Sequence, residues 1–273
     1  MLLTFPDQFK ILKDRALARY YEGNYAAAIT NLNAAARLNP QDADLFETRG
    51  YCHDALGDSE RAIADFTTAI QLRPSIAVYY NRAIIYYQAR DYSNALPDLT
   101  ACIAFGPVFD GPYKTRAAIL DVLGEHAQAL KDWNQGLKLK PADADGLAYR
   151  GQCHEQLHQY DQALADSEAA LKLEATNDLA YNTIALVRAM AADPHYRGGK
   201  KAVAAGLKAC QFSNWNEPDC IDTLACAYAE NGDYEQAIKY ENQALDLPGN
   251  PKKEIHAMEQ RLKQFAAHQP ARD

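Results

Sequence analysis

Small and apolar residues fall in paired stripes along this chain, each stripe at the three- and four-residue spacing that puts side chains on one face of a helix. Residues 43–76 show the unit. Phe46, Gly50 and His53 mark one face of a first helix, Ala55-Leu56-Gly57-Asp58 makes a turn, and Ala62, Ile63, Phe66, Ala69, Ile70 and Leu72 form the stripe of a second. Pro74 stops it. Two small residues seven apart recur on the second helices as Ala28/Ala35, Ala62/Ala69, Ala95/Cys102, Ala129/Gly136, Ala163/Ala170, Ala202/Ala209 and Ala237/Ala244. Successive pairs lie 34, 33, 34, 34, 39 and 35 residues apart. One hairpin copied in tandem cannot bury its apolar face alone, so the pattern predicts an all-α stack in which each unit packs on its neighbours. The stops Pro40, Pro74, Pro107 and Pro141 and the turns at Gly23, Gly57, Gly124 and Gly232 keep the same phase. Pro97 fits if Ser93 caps its helix, since a proline is tolerated in a first turn.

The period divides the chain into a lead-in at 1–8, units at 9–42, 43–75, 76–109, 110–143, 144–177, 178–217 and 218–251, a helix at 252–268 and a tail at 269–273. Ile255, Met258, Leu262 and Phe265 make one apolar stripe on the helix after the units, which is expected to cap the open end of the stack. At the other end Phe5 and Phe9, an upstream segment or a second copy of the chain would cover the opening unit.

The units resemble tetratricopeptide repeats, whose pattern appears in residues 43–76 as Phe46, Gly50, Gly57, Ala62, Phe66, Ala69 and Pro74. The resemblance extends over residues 9–251. It implies a right-handed superhelix, or α-solenoid, whose first helices line a concave groove, and a role in binding other proteins. The sixth unit is longer by five residues, at Asp193-Pro194-His195-Tyr196-Arg197-Gly198-Gly199. This segment, with the repeat from Asp222 to Tyr234, is similar to the closing repeats of bacterial multi-repeat scaffold proteins. The family's carboxylate clamp is not expected, because Lys13 and Asn81 are present but Leu17, Thr48 and Ala77 occupy slots that should be polar or basic.

The repeats also serve as their own comparison set. Arg49, Arg82, Arg116 and Arg150 in first helices are each followed 16 residues later by Asp65, Asp98, Asp132 and Asp166, and Arg15 by Asn31. In the last two units both slots are uncharged. Charges that appear and vanish together predict ion pairs that hold hairpins together, in preference to a row of arginines for an acidic ligand.

Binding residues must then come from first-helix positions not used in packing. The register places Asp14, Tyr20, Glu47, Tyr51, Tyr80, Asn81, Tyr87 and Tyr149 on the exposed stripe. Carboxylates and tyrosines there outnumber the lysines Lys10, Lys13 and Lys114, so the expected partner is another protein or peptide, basic or neutral. Arg197, Lys200 and Lys201 form a compact basic cluster that offers a secondary site. Homo-oligomerisation through the amino-terminal edge, as a structural subunit, is the alternative function.

Charge narrows the choice further. A net charge of -8 and a pI near 5.4 argue against a general nucleic-acid binder. No signal sequence or membrane span is visible, which makes a cytoplasmic location the expectation. Cys52, Cys102, Cys153, Cys210, Cys220 and Cys226 are expected to be free thiols, with only Cys210 and Cys220 near enough in the chain to meet. His154 and His158 follow Cys153 on a helix, but no third ligand is evident, so no metal or cofactor is expected. Nothing resembles a nucleophile motif or a convergent pair of catalytic carboxylates, and the chain is expected not to be an enzyme.

Overall fold

The computed structural model describes residues 5–248 and 252–272, and among these it holds α-helices and no strand. The helices come in antiparallel pairs: α1 (Phe5–Tyr21) with α2 (Tyr25–Leu38), α3 (Ala43–Ala55) with α4 (Ser59–Leu72), and α5 (Ile76–Gln88) with α6 (Tyr92–Ala104). Then follow α7 (Gly111–Val122), α8 (His126–Leu139), the pair α9 (Ala144–Gln156) and α10 (Tyr160–Leu173), and the pair α11 (Asp178–Met190) and α12 (Gly199–Phe212). Last come α13 (Pro218–Glu230), α14 (Tyr234–Asp246) and α15 (Lys252–Ala266). The first helix starts at Phe5, so the expected lead-in is partly helical. Residues 1–4, 249–251 and 273 and the side chain of Phe5 lie outside the described residues.

The chain forms two compact units, one ending at Ile119 and the other starting at Leu120. In the first, each hairpin packs on the next through α2 against α3 and α4 against α5. The second continues in the same way from α8 to α14 and adds α15 against α14. Small residues let the helices approach: Ala62 and Ala69 are fully buried with Phe66 between them, and a Cβ on Gly50 would lie 2.7 Å from the Phe66 ring. The core of this hairpin is therefore built from close backbone contact with one large ring as filler.

Caps and turns set the phase. Asn24, Asp58 and Asp233 each accept a hydrogen bond from a backbone N–H in the first turn of the helix they open, and each follows a glycine, Gly23, Gly57 or Gly232, at φ +74° to +84°. In the third hairpin Arg90 takes that left-handed slot at φ +56°, and Asp91 caps α6 by accepting from Asn94 N–H. Ser93 is thus the second helical residue, with its hydroxyl on Asp91, and Pro97 stands inside α6. The expected Ser93 cap is incorrect because the turn keeps its glycine phase with an arginine in the glycine's place.

Arg49, Arg82 and Arg150 make the expected pairs within their hairpins. Arg49 donates Nε and Nη2 to Asp65 at 2.8 and 2.6 Å, Arg82 to Asp98 at 2.7 and 2.7 Å, and Arg150 to Asp166 at 2.7 and 2.7 Å. The remaining nitrogen reaches back to the second helix of the preceding hairpin. Arg49 Nη1 donates to Asn33 at 2.6 Å, Arg82 Nη1 to Thr67 at 2.7 Å, Arg116 Nη1 to Thr100 at 3.2 Å and Arg150 Nη1 to Asn134 at 2.9 Å. One guanidinium therefore fixes both the angle within a hairpin and the stacking of one hairpin on another. Arg15 departs from the series: it is exposed, and the Asn31 amide donates to Ala27 C=O in its own helix at 2.9 Å. An amide offers no two-oxygen acceptor for the fork.

The end of the chain is held by a buried charge cluster. Arg261 of α15 lies 2.6 Å from Asp222 of α13 and 3.1 Å from Glu241 of α14, while Met258 and Phe265 are buried against the same helices. Glu241 stands in the slot where other second helices carry Phe66 or Trp133. Burial first, and the neighbouring Asp222 second, push the Glu241 carboxyl up to about 9 against the pull of Arg261.

Candidate protein-binding face

In the first unit the first helices α1, α3 and α5 lie in sequence across the stack and carry the predicted tyrosines. The Tyr20 and Tyr51 rings meet at 6.5 Å, the Tyr51 hydroxyl donates to Glu47 Oε1 at 3.1 Å, and Asn81 Nδ2 donates to the Tyr51 hydroxyl at 3.3 Å. Tyr20, Glu47, Tyr51 and Asn81 thus form one half-buried strip that crosses three helices. Burial and the Glu47 carboxylate raise the Tyr51 hydroxyl, and burial raises that of Tyr20, so both stay neutral at ordinary pH. Such a strip offers aromatic surface with a carboxylate and an amide at its edges.

Other predicted residues stand apart from it. Asp14 is exposed on α1. Tyr80 packs edge-on against Phe109 at 5.3 Å and Tyr87 lies 6.3 Å from Tyr92, so both rings are partly used in local packing. In the second unit Tyr149 stacks on the buried Trp133 at 5.4 Å with the ring planes 4° apart and keeps its outer face in solvent. Lys13 is engaged by Asp42 at 2.8 Å and Asp44 at 2.9 Å, and Arg73 pairs with Asp44, so part of the groove charge is neutralised internally.

The insertion in the sixth hairpin is a docked turn. Asp193 caps a short 3-10 turn at Pro194–Tyr196, Gly198 N–H donates to Arg188 C=O at 2.8 Å, and Arg188 donates to Tyr196 C=O at 2.9 Å. Arg197 donates to the carbonyls of Ala191 and Ala192 and lies 3.6 Å from Glu230. It therefore ties the turn to the next hairpin, and only Lys200 and Lys201 of the basic trio present exposed ammonium groups. The expected secondary basic site is reduced by one member.

The six cysteines are free and buried, and Cys210 Sγ donates to the Cys220 carbonyl at 3.3 Å. Burial pushes the thiols of Cys52 and Cys102 up to about 11, which makes them poor nucleophiles. His154 and His158 turn away from Cys153, to Gln159 at 2.6 Å and to the Tyr160 hydroxyl at 2.9 Å.

Family models described as tetratricopeptide repeat match residues 13–77, 53–107 and 219–251. Residues 13–107 and 219–251 carry tetratricopeptide repeats. It is 33% identical over 140 residues to human serine/threonine-protein phosphatase 5, covering 50% of this chain and 26% of that protein. It is also 31% identical over 102 residues to DnaJ homolog subfamily C member 3 of Gallus gallus, covering 37% of this chain and 20% of that protein. The chain thus spans about a quarter or less of the length of these relatives.

Among solved structures, a tetratricopeptide repeat protein from Parabacteroides merdae superposes with a TM-score of 0.61 at 16% identity, over 95% of this chain and 99% of that one. MamA from Desulfovibrio magneticus gives 0.57 at 21% identity, over 63% and 98%. These likenesses show the fold, an all-α tetratricopeptide-repeat solenoid. The repeats of this family mediate protein–protein interaction and are generally noncatalytic. No helix among the described residues is long and apolar enough to cross a membrane.

Proposed function

We propose that this chain is a noncatalytic scaffold that binds a basic or neutral peptide segment of another protein along its first helices. The observation that carries the reading is the strip Tyr20–Tyr51–Asn81 with Glu47 beside it, which joins three consecutive repeats into one surface. Tyrosine presents a large rigid face with a polar tip at low entropic cost, and a carboxylate at its edge favours Lys or Arg in the ligand. Tyr149 on Trp133 extends the same chemistry to the second unit.

A random peptide library displayed against the purified chain tests this. Enrichment of sequences with Lys, Arg or uncharged residues supports it; enrichment of acidic sequences, or no enrichment, contradicts it. Assembly through the amino-terminal edge is the second role proposed for the chain. Light scattering on the same sample reads it directly.

A further inference from the structure

We propose that Asp121, His126 and Cys153 form a binding site for one zinc-like divalent cation. Asp121 lies near the end of α7, His126 opens α8 and Cys153 sits in α9, and one donor atom from each falls within 4.8 Å of the other two. His126 Nδ1 is 3.0 Å from Asp121 Oδ1, and the Cys153 sulfur is 3.1 Å from the His126 carbonyl. Nitrogen, oxygen and sulfur donors together match the preference of Zn2+ and Co2+ and disfavour Mg2+ or Ca2+, which take oxygen alone.

The repeats themselves make the choice of residues informative. One hundred and one residues earlier the same three slots hold Tyr20, Tyr25 and Cys52, with the two rings 5.9 Å apart and packed against the core cluster that contains the cysteine. In that hairpin the slot is filled by aromatic packing. Around Cys153 the rings are replaced by a carboxylate and an imidazole, which remove packing area and bring in two ligand groups.

The surroundings fit a metal seat. Trp133 Nε1 donates to Asp121 Oδ2 at 2.7 Å, which orients the carboxylate and leaves Oδ1 toward His126, as an outer hydrogen bond does for metal ligands. Cys153 is buried, while the Asp121 and His126 side chains are 21% and 23% exposed, so a cation enters from their side and keeps a water on its open face. Coordination replaces the His126–Asp121 hydrogen bond with two metal bonds as the imidazole proton moves from Nδ1 to Nε2, and adds a third bond to the Cys153 sulfur as its thiol proton passes to solvent.

The test is a Co2+ titration of the full chain after chelator treatment, followed by the thiolate-to-cobalt charge-transfer absorption and by competition with Zn2+. Wild type is expected to develop the band with saturation at one equivalent and to lose it to Zn2+. Cys52→Ser keeps the band, Cys153→Ser abolishes it, and His126→Ala weakens uptake. His126 is partly exposed, so that variant remains informative if Cys153→Ser fails to fold. A wild-type chain without the band, a band that survives in Cys153→Ser, or one equally strong in His126→Ala overturns the site.

Discussion

Arg82 and Asp98 stand 16 residues apart in the chain and meet through two parallel hydrogen bonds of 2.7 Å, one from Nε and one from Nη2. The same guanidinium donates its third nitrogen to Thr67 of the preceding hairpin. Arg82→Ala leaves the Asp98 carboxylate, 5% exposed, without its counter-charge, and is expected to lower stability by about 3 kcal/mol. Denaturant unfolding measures the loss. Peptide affinity at temperatures well below melting is expected to be unchanged, and a variant that stays fully stable but loses binding would reassign the arginines to the ligand.

Gly199 lies against the turn between α13 and α14. A Cβ there would sit 2.4 Å from Asn231 Cα and 2.6 Å from its nitrogen, and backbone cannot move aside as a side-chain tip can. Gly199→Ala is expected to cost about 1–3 kcal/mol. Gly198 has extended backbone at φ 178° with open space around it, so Gly198→Ala is expected to be within about 0.5 kcal/mol of wild type. Equal effects in thermal unfolding would mean that the inserted turn is not docked as described.

Glu241 gives the fold a pH dependence. Its carboxyl is raised from 4.5 to about 9 in the folded chain, with Asp222, also raised by burial, and Arg261 facing it from α13 and α15. The folded state therefore holds a proton that the unfolded chain releases above about pH 4.5, so this group's contribution to stability is fullest below that pH and declines as pH rises toward 9. The decline is at most about 1.4 kcal/mol per pH unit. Glu241→Gln keeps the shape without the titration and is expected to flatten melting temperature against pH between 5 and 9. An unchanged slope would place the titration elsewhere.

Much of this was readable from the residues because the repeats compare themselves. The alanine spacing of seven, the turn glycines and the Arg–Asp interval of 16 each report a short-range or next-helix relationship, and these recur in the structure at Ala62/Ala69, Gly57 and Arg49–Asp65. The back-reaching bonds also have a signal in the sequence: Asn33, Thr67, Thr100 and Asn134 each stand two residues after the hairpin-locking slot. At Glu168 the series ends, where the next first helix has Ile184 in place of arginine.

What periodicity could not show is contact between residues that break the repeat. Glu241 breaks the aromatic slot of its helix, and only α15 brings Arg261 to it. In the chain Cys153 adjoins His154 and His158, whereas the helix path sets it beside His126 and Asp121. Tyr80 and Tyr87 occupy the exposed register, but Phe109 and Tyr92 lie close enough to claim one face of each ring.

The central claim is that the Tyr20–Tyr51–Asn81 strip binds the partner, and the most direct measurement is the affinity of a library-selected peptide for wild type and for the double variant Tyr51→Ala/Asn81→Ala. Both proteins are measured well below their melting temperatures. At least about a tenfold loss is expected in the double variant, corresponding to about 1.4 kcal/mol. Equal affinity in the two proteins would contradict it.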